Sequence, residues 1–591
     1  MLMLMKPKRL LIIALLLLTL NARFVPEQPV LPVSSLKTGM NGYTLTVLKG
    51  TEPSKIPVKI LSIVPQTPGR NVSDLILIRL MGGVKLAQGM SGSPVYVNGK
   101  LIGAIRSGWQ DSDQTLALVT PIDSMCSLED SQSTSSYPKP LALTAVSVSG
   151  LNADTQALAE LSRKLGVKII QGSGSANHSV GLTADGKSLK PGDSIAALLA
   201  WGDVELSAVG TVTATAKGGK FLAFGHEFLK RGETAYPSAG VYVHEIINIS
   251  SFPFKFTSTT GINGTVTQDR DAGIQGRFGY YAPSVSCGFV LRDIDNNRES
   301  AYKFRTVADE FLADELIEGI CKSLAEESWG RKGQGTMSVT LRIDGKNVPN
   351  GWTRKDIFFS DSDIISDAFK QTKEIMSAYL TQPFDDAFPS GFTVTAEVSQ
   401  NPRVLMIEDI ETVSEAKPDE EIEIAVTLRG WRTEPFTRTF KMKIPDDASG
   451  VVELIVRGGG TQSLSQAGIE GGWKSVDSLE RMLTEFRAAD SNNQLILELN
   501  ADRTGNLIRE IQRAKNKTVK TSGKSSTSTS KSARKSSRPA KTPPRDSDLL
   551  PEEEEYLSET KERRISEGTL RIYSADYCVE GLMRRIIHVE K

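Results

Sequence analysis

Residues 86 to 109 read LAQGMSGSPVYVNGKLIGAIRSGW, and the serine set between glycines is what could do chemistry here. A serine hydroxyl attacks a carbonyl only when a base takes its proton and donors stabilise the oxyanion that forms. Gly89 and Gly92 flank Met90 and Ser91, and glycine accepts the positive φ that a tight, donor-presenting turn needs. This spacing makes Ser91 the candidate nucleophile and the backbone N–H groups of Gly89 and Ser91 the candidate oxyanion donors. Ser93 is the lesser candidate, because Pro94 after it favours extended backbone. On these residues alone, a Gly-rich turn that happens to contain serines is the alternative.

A base must come from elsewhere, and the chain has four histidines. His178, in GSANHSV, reads as a loop residue and His588 as part of a closing strand. His244, in VYVHEII, alternates like a packed strand residue. His226 follows the apolar strand FLAFG and precedes Glu227. A histidine just past a strand end, beside a glycine, can present its ring to a cleft, so His226 is the candidate base. The acid is left open. Asp74 in SDLILIRL is the nearest one upstream of the serine, Asp269 in QDRDAG is a second candidate with a structural role as its alternative, and a Ser–His dyad needs neither.

The elements that must hold these residues are mostly strands. Residues 36 to 125 are β-rich: VYV and KLIGAI flank Asn98-Gly99, a type I′ hairpin signal. A second β-rich block, about 188 to 290, has KGGK as its turn between two strands. A mixed α/β connecting region over 301–390 follows, with helices expected over 309–324 and in SDIISDAFKQTKEIMSAYLTQP, stopped near Pro383, and a strand in MSVTLRID. Regularly spaced strands over 391–460 predict an immunoglobulin-like sandwich. A helical segment over 461–514, with Ser475 or Asp477 as its cap, precedes a basic Ser/Lys-rich linker at 515–550. The chain resumes in closing strands at 565–591, so the linker reads as an insertion.

Taken together, QGMSGSPVYVNGKLIGAI and FLAFGHEF resemble the SpoIVB-type serine peptidase domain, named for the sporulation stage IV protein B. GTVTQDRDAGIQGRFG and LKTGMNGYTLTVLKGTEP look like elements of the long bacterial envelope proteins that carry it. The resemblance covers roughly 36–290, within a domain drawn at 36–300. It implies a mainly β chain with a trypsin-like double β-barrel, Ser91 as nucleophile, His226 as base, a protein or peptide substrate, self-processing, and no cofactor. In the sporulation peptidase the histidine motif comes first; here it comes second, so the barrel halves are expected in permuted order, which catalytic triads tolerate. The stretch matching that enzyme's aspartate, IRLMGGVKLAQ, holds no acid, which leaves Asp74 as the triad candidate; no PDZ-like segment is apparent.

Composition bounds the rest. With 591 residues the chain exceeds what one core supports. Its 70 basic and 70 acidic residues cancel, so no whole-chain charge recruits nucleic acid, and none is expected as a partner. Lys6, Lys8 and Arg9 ahead of the apolar run Leu10–Leu20 read as a signal peptide over 1–22, with an uncleaved anchor as alternative. Export to the periplasm, cell envelope or exterior follows from it. Cys126, Cys287, Cys321 and Cys578 form no CxxC pair, no GxxxxGK[ST] is present, and there is no histidine cluster, which argues against zinc, phosphate-loop and metal chemistry. The alternative to an exported serine endopeptidase is an inactive peptidase fold serving as an envelope scaffold.

Overall fold

The computed structural model describes residues 23–65, 74–109, 113–128, 141–142, 145–172, 188–249, 253–385, 388–461, 476–500, 569–573 and 576–590. The expected signal peptide at 1–22, His178 and the linker at 515–550 lie outside the described residues. The protein is mainly β.

Six strands come first: β1 (Asn41–Val47), β2 (Pro53–Val64), β3 (Leu75–Leu80), β4 (Pro94–Val97), β5 (Lys100–Gly108) and β6 (Leu116–Pro121). They pair antiparallel in the order β4-β1-β2-β3-β6-β5, and β5 pairs back onto β4, closing a barrel. Alternation drives the closure: Ile56, Val58 and Ile60 of β2 and Ile76, Ile78 and Leu80 of β3 point into one core, and closure leaves no strand edge open. Asn98 and Gly99 both have positive φ, 50° and 72°, as a type I′ hairpin requires.

The short strand β7 (Leu141–Ala142) adds to that sheet, and β8 (Val146–Ser149) and β9 (Ile169–Gln171) begin another. Then come β10 (Ser194–Gly202), β11 (Glu205–Ala216), β12 (Lys220–Ala223), β13 (Gly232–Ile247), β14 (Phe254–Arg270) and β15 (Gly273–Phe278). The KGGK turn joins β11 to β12 as expected. Strand β10 pairs with both β11 and β13, so β10-β13-β14-β15-β12-β11 forms a second six-strand antiparallel ring.

This ring opens into a larger sheet through β16 (Ser284–Asp293), β17 (Arg298–Val307), β18 (Gly335–Gly345), β19 (Val348–Ser360) and β20 (Pro389–Ser399), 13 strands in all with β8 and β9. Helices Ala313–Trp329 and Ile364–Thr381 pack on it, burying Leu316, Ile320, Phe369 and Ile375 in the core that also holds Phe289 and Phe392. The region 301–390, expected as a connector, is therefore part of this layer. Its first helix ends at Gly330, whose φ of 69° stops it, rather than near Leu324.

The last unit has two sheets over one core. It contains β21 (Val404–Glu411), β22 (Glu415–Ala416), β23 (Glu421–Gly430), β24 (Phe436–Lys443), β25 (Gly450–Gly458), β26 (Gln494–Asn500), β27 (Thr569–Tyr573), β28 (Cys578–Glu580) and β29 (Leu582–Val589). The sheets run β24-β23-β21-β28 and β22-β29-β25-β26-β27, with Ile424, Val426, Leu454, Leu497 and Ile587 between them. The unit differs from the expected 391–460. Strand β20 instead pairs with β16 and β18, because its buried face of Phe392, Val394, Ala396 and Val398 meets the helix-covered core. Alternation marks a strand but does not say which sheet it joins. Within the expected helical segment, Gln494–Asn500 is strand β26; the helix itself is Leu479–Ala488, capped by Ser478, whose Oγ accepts the Arg481 N–H at 3.2 Å. Asp477 is not that cap, and Ser475 lies outside the described residues.

Glu498 of β26 stands opposite Thr569 of β27, so residues 501–568 join neighbouring strand ends. Replacing them with a short Asn-Gly turn is expected to leave the melting midpoint within about 3 °C of the full chain's. A fall of about 10 °C in calorimetry would show that the segment stabilises the sandwich.

Candidate active site

The serine turn lies between β3 and β4 and is built from its own backbone. Met90 N–H donates to Ala87 O at 3.0 Å, Ser93 N–H to Met90 O at 3.0 Å, and Gly92 N–H to Ile105 O at 2.7 Å. These three amides are thereby excluded as oxyanion donors. The Ser93 hydroxyl donates to Met90 O at 2.6 Å and lies 3.3 Å from Thr211 Oγ1, so it braces the turn. Gly89 and Gly92 have φ of 92° and 89°.

The second ring holds this turn. Thr211 of β11 donates its N–H to Ser91 O at 2.7 Å and its hydroxyl to Gly89 O at 3.2 Å; the Thr213 hydroxyl donates to Gly92 O at 2.7 Å. A Cβ on Gly92 would stand 2.1 Å from Thr211 O and 2.4 Å from Phe224 N, space that only glycine leaves open. From the other side, a Cβ on Gly225 would lie 2.8 Å from Ile105 O, and the Thr120 hydroxyl donates to Gly225 O at 2.5 Å. Phe224 and Gly225 are successive left-handed residues, φ 67° and 69°, turning the chain sharply just before His226. The two motifs singled out in the sequence thus meet, backbone to backbone, across the two rings.

His226 is 3 % exposed, and Ser91 is fully buried. Because a carbonyl only accepts, the 2.5 Å contact between His226 Nδ1 and Glu227 O puts the proton on Nδ1 and leaves the lone pair on Nε2. Burial lowers the imidazole pKa to about 4; the Glu227 carbonyl works against that shift, and Arg106 adds to it. The ring is therefore neutral at pH 7, as a general base must be. Both side chains are thus closed off from solvent.

The candidate acids are placed differently. Asp269 is fully buried, and its carboxylate accepts the N–H groups of Phe228 at 2.8 Å, Leu229 at 2.7 Å and Arg231 at 3.4 Å. It therefore shapes the loop that follows His226, and burial holds its carboxyl above the usual range despite those amides. Asp74 is exposed, just ahead of β3. The position at Nδ1, where a triad acid acts, holds the Glu227 carbonyl.

Of the other histidines, His244 lies on an exposed face of β13, with Nε2 2.8 Å from Ser258 Oγ and its ring against those of Tyr242 and Phe256. His588 is exposed on β29. The four cysteines are buried free thiols. No cluster of His, Cys, Asp or Glu able to hold a metal occurs among the described residues. The bracing threonines Thr211 and Thr213 were not singled out from the sequence, although their alternation in TVTATA marks them as one face of a strand. No family model, curated protein or solved structure matches the chain.

Gly92→Ala is expected to cost about 3 kcal/mol or more, from strain at φ 89° and collision with Thr211 and Phe224. Urea denaturation reads this, and a loss under about 1 kcal/mol would mean that the two rings can part at this contact. His226 gives a pH signature. The unfolded chain binds its proton near pH 6.5 and the folded chain near 4, so stability falls by about 3 kcal/mol as pH drops across that window. Denaturation curves of His226→Leu should lack that slope.

Proposed function

We propose that the protein is an exported serine endopeptidase in which His226 takes the Ser91 proton and Ser91 attacks a peptide carbonyl. The contact of Gly92 with Phe224 carries this reading, because it joins a serine turn to the buried histidine of another ring. Neutral His226, its Nδ1 proton held by the Glu227 carbonyl, carries on Nε2 the lone pair that a base needs. As Oγ bonds to the carbonyl carbon, the oxyanion is held by the Gly89 and Ser91 amides. His226 then gives its proton to the leaving amine as the C–N bond breaks, and water cleaves the acyl-enzyme with His226 again as base. The Glu227 carbonyl orients the ring, which makes the site a Ser–His dyad; Asp74 is the acid of the triad version.

Two six-strand antiparallel rings with the motifs at their junction support a trypsin-like double barrel in permuted order. The two-sheet unit supports an immunoglobulin-like sandwich. The basic residues and apolar run at the N-terminus support export. The second reading, an inactive peptidase-fold scaffold, is favoured by the burial of both Ser91 and His226.

Labelling of purified protein with a fluorophosphonate probe separates the two. Wild type is expected to label at one site, Ser91→Ala not at all, and His226→Ala at least about 100-fold more slowly. Folded wild type that stays unlabelled would favour the scaffold.

A further inference from the structure

Behind the serine turn lies an amine that the dyad does not use. Lys255, near the start of β14, is 5 % exposed. Its Nζ donates to Thr46 Oγ1 of β1 at 3.0 Å and to Ser194 Oγ of β10 at 3.2 Å, so it bridges the two rings. Its backbone N–H donates to Gln88 O at 3.0 Å, and Gln88 N–H donates to Pro253 O at 2.8 Å. Its methylene stem lies on Gly89: a Cβ there would come within 3.0 Å of Lys255 Cδ, 3.2 Å of Cγ and 3.3 Å of Cβ. One side chain thus contacts both rings and the residue offered as an oxyanion donor.

The amine has no carboxylate partner among the described residues. The charged groups on the elements around it are engaged with others. Glu245 of β13 pairs with Lys49 at 3.0 Å, and Glu52 pairs with Lys190 at 3.1 Å. Asp193, ahead of β10, accepts the Lys190 N–H at 2.9 Å, and Glu205 of β11 accepts the Ser207 and Thr259 hydroxyls. Two hydroxyl acceptors match the two N–H donors of a neutral amine, whereas an ammonium has a third donor and a charge to satisfy. Burial accordingly brings the Lys255 pKa down to about 7.

We propose that Lys255 is a positioning residue for the serine turn: without its extra proton it lets Gln88 and Gly89 lie as described, and on protonation it disturbs the turn and lowers the reactivity of Ser91. The inference rests on Ser91 being the nucleophile. It deepens that reading by making the site sensitive to acid well above the range in which His226 itself takes up a proton.

The test is the fluorophosphonate labelling rate of wild type and Lys255→Met between pH 5 and 9, with melting curves at each pH to show that both are folded. One titration near pH 7 makes the wild-type rate at pH 8 about tenfold that at pH 6, whereas His226, neutral across that range, contributes no such step. In Lys255→Met, which keeps the stem but not the amine, the ratio should fall to near one. The melting point of wild type should also rise above pH 7 relative to the variant, because there the unfolded chain holds a proton that folded Lys255 has lost. A wild-type ratio near one, or the same pH step in both proteins, overturns this inference and leaves Ser91 standing. Wild type that labels at no pH overturns the Ser91 reading, and this inference with it.

Discussion

The Gly92 backbone rests directly on the backbone of Thr211 and Phe224, and the rest of the candidate site depends on that contact. Neither ring holds both motifs: the serine turn belongs to the first and the histidine turn to the second. Gly225 repeats the arrangement from the other side, against Ile105. Contacts between backbones fix position more tightly than contacts between flexible side chains, because they leave no rotamer to adjust. The threonine hydroxyls of β11 then satisfy the carbonyls that this close approach removes from water.

Such close packing keeps water from the junction, and burial sets the state of three titratable groups in it. His226 is held neutral, the Asp269 carboxyl is pushed up although backbone amides stabilise its anion, and the Lys255 amine is pushed down. Dryness also raises the cost of any polar group left unpaired, which is why hydroxyl and backbone partners crowd the junction.

The second ring is continuous with the larger sheet. Past a bulge near Leu198, β10 stays paired with β11 on one side and exchanges β13 for β17 on the other, carrying the sheet outward under two helices. The two-sheet unit is tied to that layer through helix Leu479–Ala488. Arg354 of β19 is bonded to Asp356 and donates to the carbonyls of Phe486 at 2.7 Å, Ala489 at 3.1 Å and Asp490 at 2.9 Å, while Trp352 Nε1 donates to Leu483 O at 2.8 Å. Buried guanidinium and indole donors of this kind require acceptors, and so they fix how the helix docks.

The sequence by itself determined the local features. Asn98-Gly99 set the hairpin, alternation set most strands, and Gly89 and Gly92 marked a left-handed turn around Ser91, because φ preference and side-chain periodicity are properties of short stretches. Only the tertiary structure decided which pieces meet. It gave β20 to the large sheet, turned His244 to solvent, made Asp269 a brace for a loop, put the Glu227 carbonyl on His226, and buried Lys255 beneath Gly89. Partner choice and burial depend on residues far apart in the chain, and no local pattern encodes the dielectric in which a histidine or a lysine comes to lie.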